Sequence, residues 1–277
     1  MHIRLSFFAM FAILVSTIIA SHVYAKTCCT ELFDTVPWGV LSLNTLNLKR
    51  PEPSWNTDTI PKVIHQMAPK DRQKWHVSWE PCHETFKVHF SDFEHKMWTD
   101  EALDAFVASR HAALYETYQN LAFPIQRFDL ARYLILYEFG GIYADMDVEC
   151  LDNFYGFLQP GKANIAMSEH ANEDFQNALM ASPPKHPFWH YVISEVIGWQ
   201  HSKDVIASTG PIMLSRVARV APSSMIHPLK NSLIKVDTSN AAHDMKKFTP
   251  SPKHPNIMAV HHGTGTWIDR QKNQDTM

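Results

Sequence analysis

The residues with the clearest chemical potential lie between Arg127 and Asp147, in the run RFDLARYLILYEFGGIYADMD. Asp129 and Arg132 are three apart in a segment where Ile125, Phe128, Ala131, Leu134, Ile135 and Leu136 recur with helical spacing. That spacing puts both charges on one helix face. Asp145 and Asp147 follow a short apolar stretch and are two apart, and in an extended chain such residues point the same way. Two carboxylates converging at the carboxyl end of a strand make a hard oxygen site suited to Mn2+ or Mg2+. In open α/β sheets ligands sit beyond that end. A divalent cation there would hold a diphosphate and neutralise the charge that develops as it departs, which fits a nucleotide-sugar donor. An isolated Asp-x-Asp arises by chance about once in a chain of this size. The weight therefore falls on the longer pattern: an amphipathic helix bearing Asp and Arg, a Gly140-Gly141 stop, Tyr143 and then the paired acids.

The elements that must position these residues are legible on either side. Ile60-Pro61-Lys62-Val63-Ile64-His65-Gln66 reads as the first core strand and Glu94 to Trp98 as the second. Thr99-Asp100-Glu101 is a helix start, a hydroxyl cap followed by acids in the first turn, and the helix is expected to run past Leu114. Pro124 suits the first turn of the next helix, which Gly140-Gly141 ends before a buried strand from Ile142 to Asp145. Ala163 to Ser168 and Asn177 to Ala181 read as further strands, followed by helices from Phe188 and from Pro211. Strands alternating with helices predict an α/β fold with a Rossmann-type, mostly parallel sheet flanked by helices.

Composition narrows the function classes. The chain of 277 residues carries 25 Lys plus Arg against 28 Asp plus Glu, a formal net charge of −3, which argues against a nucleic-acid partner. Its four cysteines, Cys28, Cys29, Cys82 and Cys150, lack zinc-site spacing, although Cys82 and Cys150 are free to pair where disulfides are permitted. Arg4 precedes an uncharged apolar run from Leu5 to Ala20, with Val23 and Ala25 placed as in a signal-peptidase site. Two readings of residues 1–25 stay open: a cleaved signal peptide, or an uncleaved anchor that holds a type II protein on the membrane with its bulk in the lumen. Either sends the chain into the secretory pathway, in the ER or Golgi lumen or outside the cell. Residues 26–59 read as a stem or linker, which leaves 60–277 as the working domain.

Arg127-x-Asp129-x-x-Arg132-Tyr133, followed by Gly140-Gly141-x-Tyr143-x-Asp145-x-Asp147, resembles the DXD-bearing sugar-binding region of family 32 glycosyltransferases. That family includes inositolphosphoceramide mannosyltransferases and initiating mannosyltransferases of N-glycan outer chains. Further matches follow in the family's order: Ile60 to Gln66, Trp98 to Glu101, Pro184-x-His186-Pro187-Phe188-Trp189, Ser208-Thr209-Gly210-Pro211 and His261-His262-Gly263-Thr264-Gly265-Thr266-Trp267. Together they cover roughly residues 60 to 268.

The resemblance implies a GT-A fold, a divalent metal (Mn2+ or Mg2+) and a nucleotide-sugar donor, GDP-mannose in the first place and a UDP-sugar in the second. It also implies hexose transfer to a hydroxyl acceptor with retention of configuration. Asp147 would be the main metal ligand, Asp145 would touch the ribose and the metal, and His262 would close the metal site, with His261 as its rival. Asp129 and Arg132 would grip the donor sugar, Trp267 would cover the diphosphate, and His65, Gln66, Tyr143 and Gly210 would serve donor binding. Members acting on inositolphosphoceramide usually have further C-terminal membrane segments, which are not seen in this sequence, so the acceptor stays open among lipid, glycan and small-molecule hydroxyls. Two rival functions remain: a lumenal carbohydrate-binding protein that kept the fold without catalysis, against which the intact acids, Arg132 and His262 speak, and a hydrolase using the acid pair.

Overall fold

The computed structural model describes residues 58–167, 174–237, 249–253 and 255–266. The expected leader, nearly all of the stem, Cys28, Cys29 and Trp267 lie outside the described residues. Among those described, no helix is long and apolar enough to cross a membrane.

Six strands form the main sheet: β1 (Val63–Met67), β2 (Glu94–Trp98), β3 (Gly141–Ala144), β5 (Ala163–Met167), β6 (Phe175–Ser182) and β7 (Ile226–Leu229). They lie in the order β2-β1-β3-β6-β5-β7, and all run the same way except β6. The expected α/β class and mostly parallel sheet are therefore what the chain forms, with one reversed strand. A small second sheet joins β4 (Val148–Cys150), β9 (Ala259–His261) and β8 (Ile234–Val236). It had no counterpart in the sequence reading, because each of its strands is three residues long, too short to show a period.

Alternation along the strands feeds two apolar layers. Tyr143, Ile165 and Met180 pack on one face with Leu134, Trp189 and Leu214 of the overlying helices. Ile142, Ala144, Ala166, Leu179 and Ala181 pack on the other with Phe86, Phe90 and Phe154. The first layer is built by helices Pro124–Phe139, Phe188–Gly198 and Pro211–Val220, and Trp79–His89 contributes to the second.

Helix Pro124–Phe139 starts and stops where expected. Pro124 occupies its first turn, and the Gln126 side chain accepts from the Phe123 N–H at 3.0 Å. Gly140 (φ 63°) and Gly141 (φ 87°) end it in left-handed conformations that favour glycine. A Cβ on Gly140 would lie 2.5 Å from the Pro184 nitrogen, and one on Gly141 would lie 2.5 Å from Val63 Cγ1. The helix that opens at Thr99 ends earlier than expected, at Arg110, and a separate helix runs from Ala112 to Asn120. His111, with φ −132° and ψ 45°, interrupts the helical backbone between them. Cys82 and Cys150 are buried free thiols.

Candidate functional site

A cleft of about 590 Å3 opens at the carboxyl ends of β1 and β3. Asp129, Arg132, Asp145, Asp147, Asn177 and His261 are among its polar lining, and Phe123, Pro124, Ile125, Phe128, Val205 and Ile206 among its apolar lining.

The two acids converge by a different route from the one the sequence suggested. Asp145 leaves β3 with its N–H donating to the Ala178 carbonyl, and the Val148 N–H donates back to the Asp145 carbonyl at 3.1 Å. Residues 145–148 thus form a tight turn into β4, not a continuous extended strand. The turn, rather than strand alternation, brings the carboxylates together. Asp145, Asp147 and His261 each offer a ligand atom within 4.8 Å of the others. Two carboxylate oxygens and one imidazole nitrogen fit a divalent first-row ion such as Mn2+.

Each acid has its own support. Arg132 Nη1 donates to both oxygens of Asp145, at 2.9 and 3.1 Å, and to the Asn177 carbonyl at 3.0 Å. Its guanidinium also lies 4.9 Å from the Tyr143 ring centre, and the Tyr143 hydroxyl donates to Asp145 Oδ1 at 2.5 Å. Arg132 Nη2 is 3.2 Å from Asp129 Oδ1, which also accepts from Asn177 Nδ2 at 2.9 Å. The Thr209 hydroxyl donates to Asp129 Oδ2 at 2.8 Å. The Ser208-Thr209-Gly210-Pro211 motif thus does two jobs: Thr209 anchors Asp129 and Pro211 opens a helix. Burial pushes the Asp129 carboxyl up to about 6 against the opposing pull of Arg132. Asp145 is raised as well, by burial first and by the charge of Asp147 in addition, while Arg132 opposes the shift.

Asp147 lies in the opposite regime. Burial would raise it, but His261 and two donations from Thr264, backbone N–H and hydroxyl, both 2.8 Å to Oδ2, hold it well below the usual carboxylate range. His261 is correspondingly raised: burial lowers it, and Asp147 and Asp145 outweigh burial. The remaining Asp147 oxygen, Oδ1, is 3.5 Å from His261 Nε2.

Among the expected site residues, Asp129, Arg132, Tyr143, Asp145, Asp147 and Gly210 all line the one cleft. Three others are placed elsewhere. His262 is fully buried with its Nε2 3.1 Å from Glu149 Oε2, so it faces away from the paired aspartates, and His261 takes the position assigned to it. Neighbours in a strand face opposite ways, and β9 turns His261 to the cleft. His65 and Gln66 are buried beneath the cleft: His65 bonds the Gly140 carbonyl and Trp98, and Gln66 bonds His83. The following residues, Met67, Ala68 and Pro69, reach the cleft instead. Gln176, Asn177, Thr209 and Thr264 are site residues to which sequence reasoning assigned no role. Thr209 and Thr264 lay inside quoted motifs, whereas nothing around Gln176 or Asn177 marked them.

Residues 76–171 match the family described as glycosyltransferase sugar-binding region containing DXD motif. The chain is 28% identical over 165 residues to inositol phosphoceramide mannosyltransferase 1 of Schizosaccharomyces pombe, covering 57% of this chain and 51% of that protein. It is 30% identical over 165 residues to mannosyl phosphorylinositol ceramide synthase CSH1 of Saccharomyces cerevisiae, covering 57% of this chain and 42% of that one. The chain thus spans about half the length of the curated relatives it matches. A solved structure, PaToxG glycosyltransferase, superposes with a TM-score of 0.46 at 17% identity over 72% of this chain and 79% of that one.

Proposed function

We propose that this chain, which carries the DXD-containing sugar-binding region of the glycosyltransferases, is a metal-dependent retaining glycosyltransferase. It moves a hexose, mannose from GDP-mannose by preference, onto a hydroxyl acceptor. The observation that carries the reading is the convergence of Asp145, Asp147 and His261 in a cleft that Asp129 and Arg132 also line.

When bound, a divalent ion at these residues would supply positive charge to a departing nucleoside diphosphate. The chain's own residues prepare the site for it. Arg132 fixes the Asp145 carboxylate with two contacts, and Thr264 fixes the Asp147 carboxylate from the other side. Arg132 lines the cleft, and its buried Nε has no partner among the described residues. Asp129, its oxygens held by Thr209, Asn177 and Arg132, braces that guanidinium. No side chain stands out as a covalent nucleophile, so attack by the acceptor hydroxyl on the donor's own face, assisted by the leaving phosphate, asks least of the protein.

The apolar lining residues Phe123, Pro124, Ile125, Phe128, Val205 and Ile206 suit a lipid-linked acceptor such as inositolphosphoceramide, in keeping with the names of the relatives. We place the working domain in the lumen of the secretory pathway, joined to the membrane through residues 1–25 where these are retained. Purified protein should release GDP from GDP-mannose in the presence of a lipid acceptor and lose that release on addition of EDTA. Turnover unaffected by EDTA would refute the metal dependence, and no nucleotide release from GDP- or UDP-sugars would refute the transferase reading and favour a carbohydrate-binding role.

A further inference from the structure

Gln176 stands at the start of the reversed strand β6, almost wholly buried, with both ends of its amide engaged. Its Nε2 donates to the Met167 carbonyl at 2.8 Å. A carbonyl only accepts, so the atom toward Met167 must be the amide nitrogen, and the atom 2.7 Å from His261 Nδ1 is then the amide oxygen. That oxygen also only accepts. His261 must therefore carry its hydrogen on Nδ1, and in the neutral ring Nε2 is left with a bare lone pair. This lone pair is 3.5 Å from Asp147 Oδ1. That exceeds the ~2.7–2.9 Å of a charge-assisted N–H···O bond. With the ring neutral, Nε2 thus joins the carboxylates of Asp145 and Asp147 as a third acceptor, the three offering atoms within 4.8 Å of one another.

We propose that Gln176 is a positioning residue that fixes the tautomer of His261, presenting Nε2 as a ligand to the divalent ion. The inference rests on the reading of Asp145, Asp147 and His261 as a cation site. Gln176 is assigned its role through the His261 ring, with its amide spent on Met167 and His261. It acts by making one imidazole nitrogen available and aiming it, as the outer partners of metal-bound histidines do. The Met167 carbonyl locks the amide against flipping, so β5 and β6 jointly set the proton position on a ring of β9 that the sequence places far from both.

Two variants separate this role from simple packing. Gln176→Met removes both bonds at nearly constant volume. Gln176→Glu keeps an acceptor for Nδ1–H while losing the donation to Met167. Titration calorimetry of the full chain with Mn2+ should show Gln176→Met binding about 10–100-fold more weakly, and Gln176→Glu close to wild type. Long-range 1H–15N spectra of metal-free, histidine-labelled protein, at a pH where the ring is neutral, should show His261 with its hydrogen on Nδ1. The signal is assigned by its loss in His261→Asn. A wild-type ring protonated on Nε2 would overturn the proposal. So would Mn2+ affinity unchanged in Gln176→Met, or as weak in Gln176→Glu as in Gln176→Met. If Gln176→Met fails to fold, Gln176→Glu and the wild-type spectrum still decide. Wild-type protein that takes up no Mn2+ would defeat the cation-site reading itself, whereas wild-type binding with an unaffected Gln176→Met would defeat this inference alone.

Discussion

The two aspartates of the turn after β3 are held by opposite kinds of structure. Asp145 is gripped by Arg132 and Tyr143, both of which belong with it to the stretch between Arg127 and Asp147. Asp147 is gripped by Thr264 and faced by His261, more than a hundred residues further along the chain. The first support comes from one helix and the strand that follows it. The second exists only because the C-terminal segment returns, pairs β9 with β4 and donates the His262 N–H to the Asp147 carbonyl. Their charge states diverge accordingly, Asp145 raised by burial and Asp147 held low by its donors. The contrast teaches that one half of the site is locally built, while the other is assembled at long range and carries the more firmly ionised carboxylate.

The comparison can be broken most severely at Asp147. Asp147→Ala should reduce transfer by about 10²–10³-fold or more, measured as nucleotide release with added Mn2+, while circular dichroism shows an intact fold. Retained turnover would show that the long-range half is dispensable.

Arg132→Ala should damage both structure and activity. It strands Asp129 in a buried position and Asp145 in a partly buried one, at a cost of about 3 kcal/mol by urea unfolding. Arg132→Lys would not restore the fork of contacts to Asp145 and the Asn177 carbonyl. If Arg132→Ala lost activity without losing stability, the local half would be chemical instead of structural.

Acid should sharpen the contrast between histidines. His65, His111, His186 and His190 are each lowered by burial to about 4. Between about 6.5 and about 4 the unfolded chain binds more protons at these rings than the folded one, so stability falls as pH drops through that window. The slope is at most about 1.4 kcal/mol per pH unit for each ring. His261 has the opposite sign: its raised affinity for a proton contributes stability below 6.5 that is lost as pH rises through its folded value. Urea midpoints across this range should therefore fall steeply on acidification, and less steeply in His186→Gln.

The smallest effect is expected at Thr264. Thr264→Val removes the hydroxyl bond to Asp147 and keeps the backbone one, so urea unfolding should show a loss of about 1–2 kcal/mol, with Thr264→Ser near wild type.

What was legible in advance followed the range of the interactions. Helix Pro124–Phe139, its Gly140-Gly141 stop and the strand leading to Asp145 could be read because capping, left-handed glycine and apolar spacing act between near neighbours. Strand β2 was placed residue for residue, and the first strand three residues early at its start, since residue pairing with β2 begins only at Val63. His65 and Gln66 were misjudged for the same reason. Pattern marks a strand well but its end poorly, and only residues past the end reach the cleft.

The amino-acid sequence by itself determined the α/β plan, the paired acids and the Asp129–Arg132 partnership, because each is written in spacings of four residues or fewer. Tertiary structure alone decided that a turn joins the acids and that His261 faces the cleft while His262 turns to Glu149. It also decided that Gln176 and Asn177 of a reversed strand complete the site. These depend on strand register and on which face a returning segment presents. A shift of one residue would exchange the two histidines, and no local spacing encodes that choice.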